Sequence, residues 1–176
     1  NAMIETMRIR QWIKNGFVFA APVFARQLAV PDKALAVCMA FVAFCMASSA
    51  VYTMNDLIDL RRDRLHPVKR LRPLASGRLS APMAIGMALG LAAIALSLSL
   101  FMLPKFATMV LVAYLLSNLL YSSYLKHLVI LDVMFLAVGF ILRVLIGAAA
   151  AGVQPSHWLL LCTLTVSLFL GFTKRR

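Results

Sequence analysis

Asn55-Asp56-Leu57-Ile58-Asp59-Leu60-Arg61-Arg62-Asp63 follows directly on an almost unbroken apolar run over 33–54 and leads into His66-Pro67-Val68-Lys69-Arg70-Leu71-Arg72-Pro73. Three of the six acidic residues of the chain fall in this short stretch. In a helix Asn55, Asp59 and Asp63 stand at i, i+4 and i+8, and Asp56 lies within one or two turns of each, so the oxygens gather toward one face. Like charges at such spacings repel by about 0.2–0.5 kcal/mol per pair, and something outside the helix has to compensate them. One candidate is a hard divalent cation such as Mg2+, which takes carboxylate and amide oxygens and shares its shell with substrate phosphates. The other is local pairing with Arg61, Arg62 and Arg64. Residues 55–80 carry seven Lys and Arg against three Asp, which is more than self-neutralisation needs and suits a metal-bound polyphosphate.

Hydrophobic residues make up 62% of the chain and charged ones 14%, with a mean hydropathy of +0.89, which places the chain in the membrane class. The net charge of +12 could suggest nucleic acid, but the bases are confined to short stretches between apolar runs, the pattern of membrane-flanking loops. Cys38, Cys45 and Cys162 lie inside apolar runs without metal-ligand spacing and read as small buried hydrophobes. Asn1-Ala2 before Met3 has the form of a cleaved expression tag, leaving 3–176 as one transmembrane domain.

Six spans are expected, over 13–28, 33–54, 81–103, 105–122, 128–151 and 156–172. The first is short and contains Pro22, which predicts a kink, and Trp12 before it reads as an interfacial anchor. Arg8, Arg10, Lys14, the long loop, Lys126 and Lys174 to Arg176 fall on one side of these spans; Arg26, Lys33 and Lys105 fall on the other. By the positive-inside rule the N-terminus and the acidic motif are cytoplasmic, in a multi-pass protein of the cell (inner) membrane.

The fifth span carries Asp132 and, three turns deeper, Arg143. An arginine near mid-bilayer costs about 2.5–3.5 kcal/mol on insertion scales, so it is either a structural interhelical partner or the wall of a polar cavity that anchors an anion. Tyr121, Tyr124 and Lys126 form a second polar cluster just before it.

These residues support a resemblance. Asn55-Asp56-x-x-Asp59-x-x-x-Asp63 after a membrane helix, with a polar motif two helices later, resembles the UbiA superfamily of intramembrane prenyltransferases. Arg10-Gln11-Trp12-Ile13-Lys14-Asn15, His66-Pro67-x-Lys69-Arg70-x-Arg72-Pro73-x-Ala75-x-Gly77 and Tyr121-Ser122-x-x-Leu125-Lys126 are similar to the branch that transfers a phosphoribosyl group onto a polyprenyl phosphate. A second Asp-rich motif is lacking: only Asp132 stands with Tyr121, Tyr124 and Lys126, which favours that branch over users of prenyl diphosphate.

The resemblance implies an all-α polytopic bundle, about six membrane helices of an expected nine being present, so that the chain stops short at its C-terminus. It further implies Mg2+ on Asn55, Asp59 and Asp63, with Asp56 beside them in catalysis. Lys14, Asn15, Arg62, Lys69, Arg70, Arg72, Tyr121, Tyr124, Lys126, Asp132 and Arg143 would bind substrate. The partners it implies are phosphoribosyl diphosphate, a polyprenyl (decaprenyl) phosphate and the lipid bilayer, with no nucleic acid. A prenyltransferase using prenyl diphosphate, or a transporter, are the competing readings.

Overall fold

The computed structural model describes residues 2–122 and 129–173. Among these every regular element is a helix, and the longest apolar run becomes the central one, α3 (Pro31–Ile58). Pro31 sits in its first turn, where no N–H is missed, and Asp32 complements the positive end of the helix dipole. Its 28 residues extend about 42 Å against roughly 30 Å of hydrocarbon, so the end bearing Asn55 and Asp56 can project past the apolar slab.

Three apolar helices pack on α3, namely α5 (Ala81–Met102), α6 (Lys105–Leu120) and α7 (Val129–Ala151), and a fourth, α8 (His157–Thr173), packs on α7. Three short ones complete the set, α1 (Ala2–Met7), α2 (Ala20–Phe24) and α4 (Leu60–Leu65). α5 starts at Ser80, whose hydroxyl caps the Met83 amide. It buries a single row, Ala84, Ala88, Leu91, Ala95 and Ser99, and packs most extensively on α3, whose own buried residues include Ala40, Ala43, Ala47 and Ala50. In lipid the tails are as apolar as leucine, so close contact between small residues, and not water exclusion, holds such helices together. The opposite face of α5 leaves Leu89, Leu100 and Phe101 exposed, as a lipid-facing surface requires.

α3, α5 and α7 have the length and hydropathy to cross a bilayer, and α6 and α8, at 16 and 17 residues, lie near the lower limit, which makes the chain a multi-pass bundle. The first expected span differs in kind. It is a 3-10 helix over Ile9–Phe19 that passes into α2, with Pro22 inside α2. A 3-10 helix rises about 2.0 Å per residue, so these sixteen residues reach about 30 Å, which an α-helix of that length would not. Its three-residue turn also lines up Trp12, Asn15 and Val18 in one straight row against the bundle. Trp12 is therefore not simply an interfacial anchor. Its indole N–H donates to the Ser49 hydroxyl at 3.0 Å, which in turn donates to the Met7 carbonyl at 2.9 Å.

Cys45 is buried as expected, but Cys38 and Cys162 are exposed on the outside of the bundle. Their thiols are apolar enough to face lipid, which is why burial in protein was not required of them.

At the end of the row, Val18 is fully buried against Gly147 of α7. A Cβ built on Gly147 would lie 1.7 Å from the Val18 carbonyl oxygen, so main chain would have to move. Gly147→Ala is expected to cost about 1–3 kcal/mol, read as a lowered melting temperature in detergent. Gly86→Ala and Gly90→Ala, which meet nothing within 4 Å, should leave it unchanged or raise it slightly.

Candidate active site

The acidic motif straddles the junction of α3 and α4. The chain loosens at Asp59 (φ −87°, ψ 0°), but the hydrogen bonds Asp59 N–H to Asn55 O (3.0 Å) and Asp63 N–H to Asp59 O (2.9 Å) carry the helical register across. Asn55, Asp59 and Asp63 thus keep the i, i+4, i+8 spacing read from the sequence. Asp56 and Asp63 are 5% and 3% exposed, which makes their charges costly unless paired. Arg72 supplies the pairing: its Nη1 donates to Asp56 Oδ1 at 3.1 Å and to Asp63 Oδ2 at 2.6 Å. Arg8 Nη2 adds a bond of 2.6 Å to the same Asp56 oxygen.

The compensation expected for these carboxylates therefore comes from two distant arginines. The adjacent Arg61, Arg62 and Arg64 are exposed. Arg8 went unnoticed as a site residue because its position suited a topology signal equally well. It holds left-handed backbone (φ 52°, ψ 49°), costing about 1–2 kcal/mol, and is fixed there by Asp56 and by the Tyr52 ring 5.3 Å from its guanidinium carbon.

The loop over 66–80 is tied down elsewhere too. His66 Nδ1 accepts from the Val68 and Lys69 amides, so this histidine builds a turn. Leu74 and Leu79 bury against Leu57, Leu60 and Ala84, and Gly77 supplies the left-handed residue (φ 79°) of the turn between them. Arg78 grips both Glu5 oxygens at 2.9 and 3.1 Å and holds that carboxyl below the usual carboxylate range. Glu5 thus contributes above the ordinary carboxylate pKa and loses its contribution as pH falls through the lowered value, an effect that solvent keeps small. Lys69 and Arg70 remain exposed, as does Arg62, and the short turn carrying Lys69 and Arg70 packs on α4.

A second group of the expected residues meets in a cavity of about 180 Å3 bounded by the 3-10 helix, α3, α6 and α7. Lys14, Asn55, Tyr121, Asp132 and Arg143 all line it, together with Tyr52, Tyr114 and Asn118, which the sequence did not single out. Polar and aromatic side chains scattered through apolar helices carry no spacing signal of their own. The Tyr121 hydroxyl donates to Asp132, and the Ser122 hydroxyl donates to Asn55 Oδ1. An apolar groove between α3, α5 and α6, lined by Met54, Leu89, Leu115 and Leu119, shares Asn55 and Asn118 with this cavity. Asn15, expected to touch substrate, does not line it. Its amide is 1% exposed and is taken up by Ser48, Cys45 and Arg143, so it supports Arg143 from behind. Tyr124 and Lys126 lie outside the described residues.

Among the described residues no three His, Cys, Asp or Glu side chains cluster as a self-sufficient metal site. The row Asn55, Asp59 and Asp63 fits a different mode, in which Mg2+ takes one or two carboxylates and completes its shell with water and substrate phosphates.

Arg72 is 31% exposed, so removing it should cost less than the about 3–5 kcal/mol of breaking a fully buried pair, or about 2 kcal/mol. Arg72→Met is expected to expose the loop over 66–80 to limited proteolysis. Arg78→Met, which removes only a solvent-screened pair, should leave its protection nearly unchanged.

Residues 16–174 match the profile of the UbiA prenyltransferase family. The chain is 39% identical over 178 residues to decaprenyl-phosphate phosphoribosyltransferase of Corynebacterium glutamicum, covering 99% of this chain and 54% of that protein. It spans about half the length of the curated relatives it matches. The fold is similar to a digeranylgeranylglyceryl phosphate synthase (TM-score 0.81, 20% identity, 95% of this chain and 59% of that one). It is similar also to a UbiA homologue from Archaeoglobus fulgidus bound to DMAPP and Mg2+ (TM-score 0.79, 16% identity, 97% and 61%). A profile match over nearly the whole chain, on a bundle of the same architecture, assigns this protein to the UbiA prenyltransferase family.

Proposed function

We propose that the full-length protein is a transferase that moves a 5-phosphoribosyl group from phosphoribosyl diphosphate to a polyprenyl phosphate, of decaprenyl type, with Mg2+. The observation that carries this reading is the row of hard oxygens on Asn55, Asp59 and Asp63 beside the exposed bases Arg62, Lys69 and Arg70, in a chain 39% identical to a decaprenyl-phosphate phosphoribosyltransferase. The excess of basic residues at this end supports a cytoplasmic orientation in a cell membrane, the side on which a water-soluble sugar donor would be met.

Asn55, Asp59 and Asp63 would hold the metal, which when bound would supply positive charge to a diphosphate leaving group. Arg62, Lys69 and Arg70 would grip the phosphate oxygens, arginine doing so with two parallel bonds where the geometry allows. Arg72 holds Asp56 and Asp63 in place through its two hydrogen bonds. Tyr121, Asp132, Lys14 and Arg143 would line the donor's sugar and phosphate side of the cavity, with Tyr124 and Lys126 assigned to it from the sequence. The acceptor's isoprenoid tail suits the apolar groove that meets the cavity at Asn55 and Asn118. Its phosphate is already an anion, so attack on the anomeric carbon needs no general base.

A second reading, transfer of a prenyl group from prenyl diphosphate to an aromatic or isoprenoid acceptor, is favoured by the fold's likeness to a homologue bound to DMAPP and Mg2+. The two part on the donor. Full-length enzyme in detergent should release diphosphate from phosphoribosyl diphosphate in the presence of a polyprenyl phosphate, and release from a prenyl diphosphate alone would replace the first reading by the second. Asp59→Ala, or a chelator, should lower turnover by about 100-fold or more. Turnover undiminished by both would remove the metal from the mechanism.

A further inference from the structure

α6 begins at Lys105, and Ser122 just past its other end bonds Asn55, so Lys105 stands at the end of the bundle remote from the acidic motif. Two rules speak against a lysine there. The positive-inside rule leaves that side poor in basic residues, and as the first residue of the helix Lys105 faces the positive end of the helix dipole. Nothing in the protein offsets either cost. Lys105 is exposed, and among the described residues it forms no ion pair and no hydrogen bond.

From Lys105 a groove of about 500 Å3 runs toward the middle of the bundle, between α6 and the end of α5. Met109, Val112, Ala113 and Leu116 of α6 line it, with Leu100 and Leu103 from the other side. Its one hydroxyl, Thr108, donates to the Ser99 carbonyl at 3.1 Å and accepts from the Ser99 hydroxyl at 3.0 Å. The groove is thus apolar below its lysine. Between Lys105 and Leu116 the helix rises about 16 Å, against about 15 Å for half of a hydrocarbon core of roughly 30 Å. Its length is that of one leaflet, and its cation lies at the level of the headgroups.

We propose that this groove holds a phospholipid of net negative charge, of the phosphatidylglycerol type, with one acyl chain along α6 and the headgroup phosphate on Lys105. An apolar channel one leaflet deep fits the chain. An ammonium without a protein partner, on a stem flexible enough to reach the interface, fits the phosphate. The site lies at the opposite end of α6 from Asn55 and does not depend on the transfer reading.

The test places a reporter at the inner end of the groove. Leu116→Trp, at an exposed position, is made in the full-length protein and reconstituted in phosphatidylcholine vesicles. A small share of either phosphatidylglycerol or phosphatidylcholine brominated on its acyl chains is then added. Quenching of tryptophan emission beyond that of the wild type, which carries Trp12 and Trp158, reports lipid in the groove. Brominated phosphatidylglycerol should compete for the reporter about fivefold better than brominated phosphatidylcholine. Adding Lys105→Gln should remove that preference while leaving quenching by phosphatidylcholine unchanged. Adding Lys33→Gln instead, at the same end of the bundle but bonded to Gln27 at 2.6 Å, should leave the preference intact. Equal quenching by the two lipids, or a preference that survives Lys105→Gln, overturns the proposal. So does a reporter that neither lipid quenches, the result expected if protein covers the groove.

Discussion

Two carboxylates buried two helical turns apart at the edge of a membrane are costly to hold without a cationic partner, and Arg72 hydrogen-bonds to both of them. Much else follows from the requirement. The loop over 66–80 has to fold back onto the end of α3 to deliver Arg72, which buries Leu74 and Leu79 and calls for left-handed Gly77 in its turn. The N-terminus has to approach from the other side to deliver Arg8, and accepts a left-handed residue in doing so. The acidic motif is thus held by parts of the chain 48 and 16 residues away from Asp56. That leaves the outward bases of the same loop available for a ligand.

Charge inside apolar sequence was the legible part of this protein. Asp132 and Arg143 stand out within a hydrophobic run because the bilayer makes them expensive, and the cavity does gather them with Lys14, Asn55 and Tyr121. The spans of α3, α5 and α7 were legible for the same reason, since length and hydropathy are sufficient to define them. Arg8 was not, because a basic residue before a span satisfies the topology rule whatever it touches. Tyr52, Tyr114 and Asn118 were not, because one polar atom on a mostly apolar helix has no period to betray its direction.

The first span was legible as apolar and misread as to geometry. Over so few residues, periods of 3.6 and 3.0 differ by little, and Pro22 suggested a kinked α-helix. The spacing of Trp12, Asn15 and Val18 by three was the available signal. Each of the three is committed to a different neighbour: Ser49, Arg143 together with Ser48, and Gly147.

That row has a consequence for how the segment can change over time. In an α-helix an inserted residue rotates everything beyond it by about 100°, and no small insertion fully restores the pattern. In a helix with three residues per turn, an insertion or deletion of three returns every later side chain to its own face and only slides it along by about 6 Å. Length variation between Trp12 and Val18 should therefore come in whole turns, and single-residue changes should be confined to the stretch before Ile9 or after Phe19, where the chain leaves its threefold track.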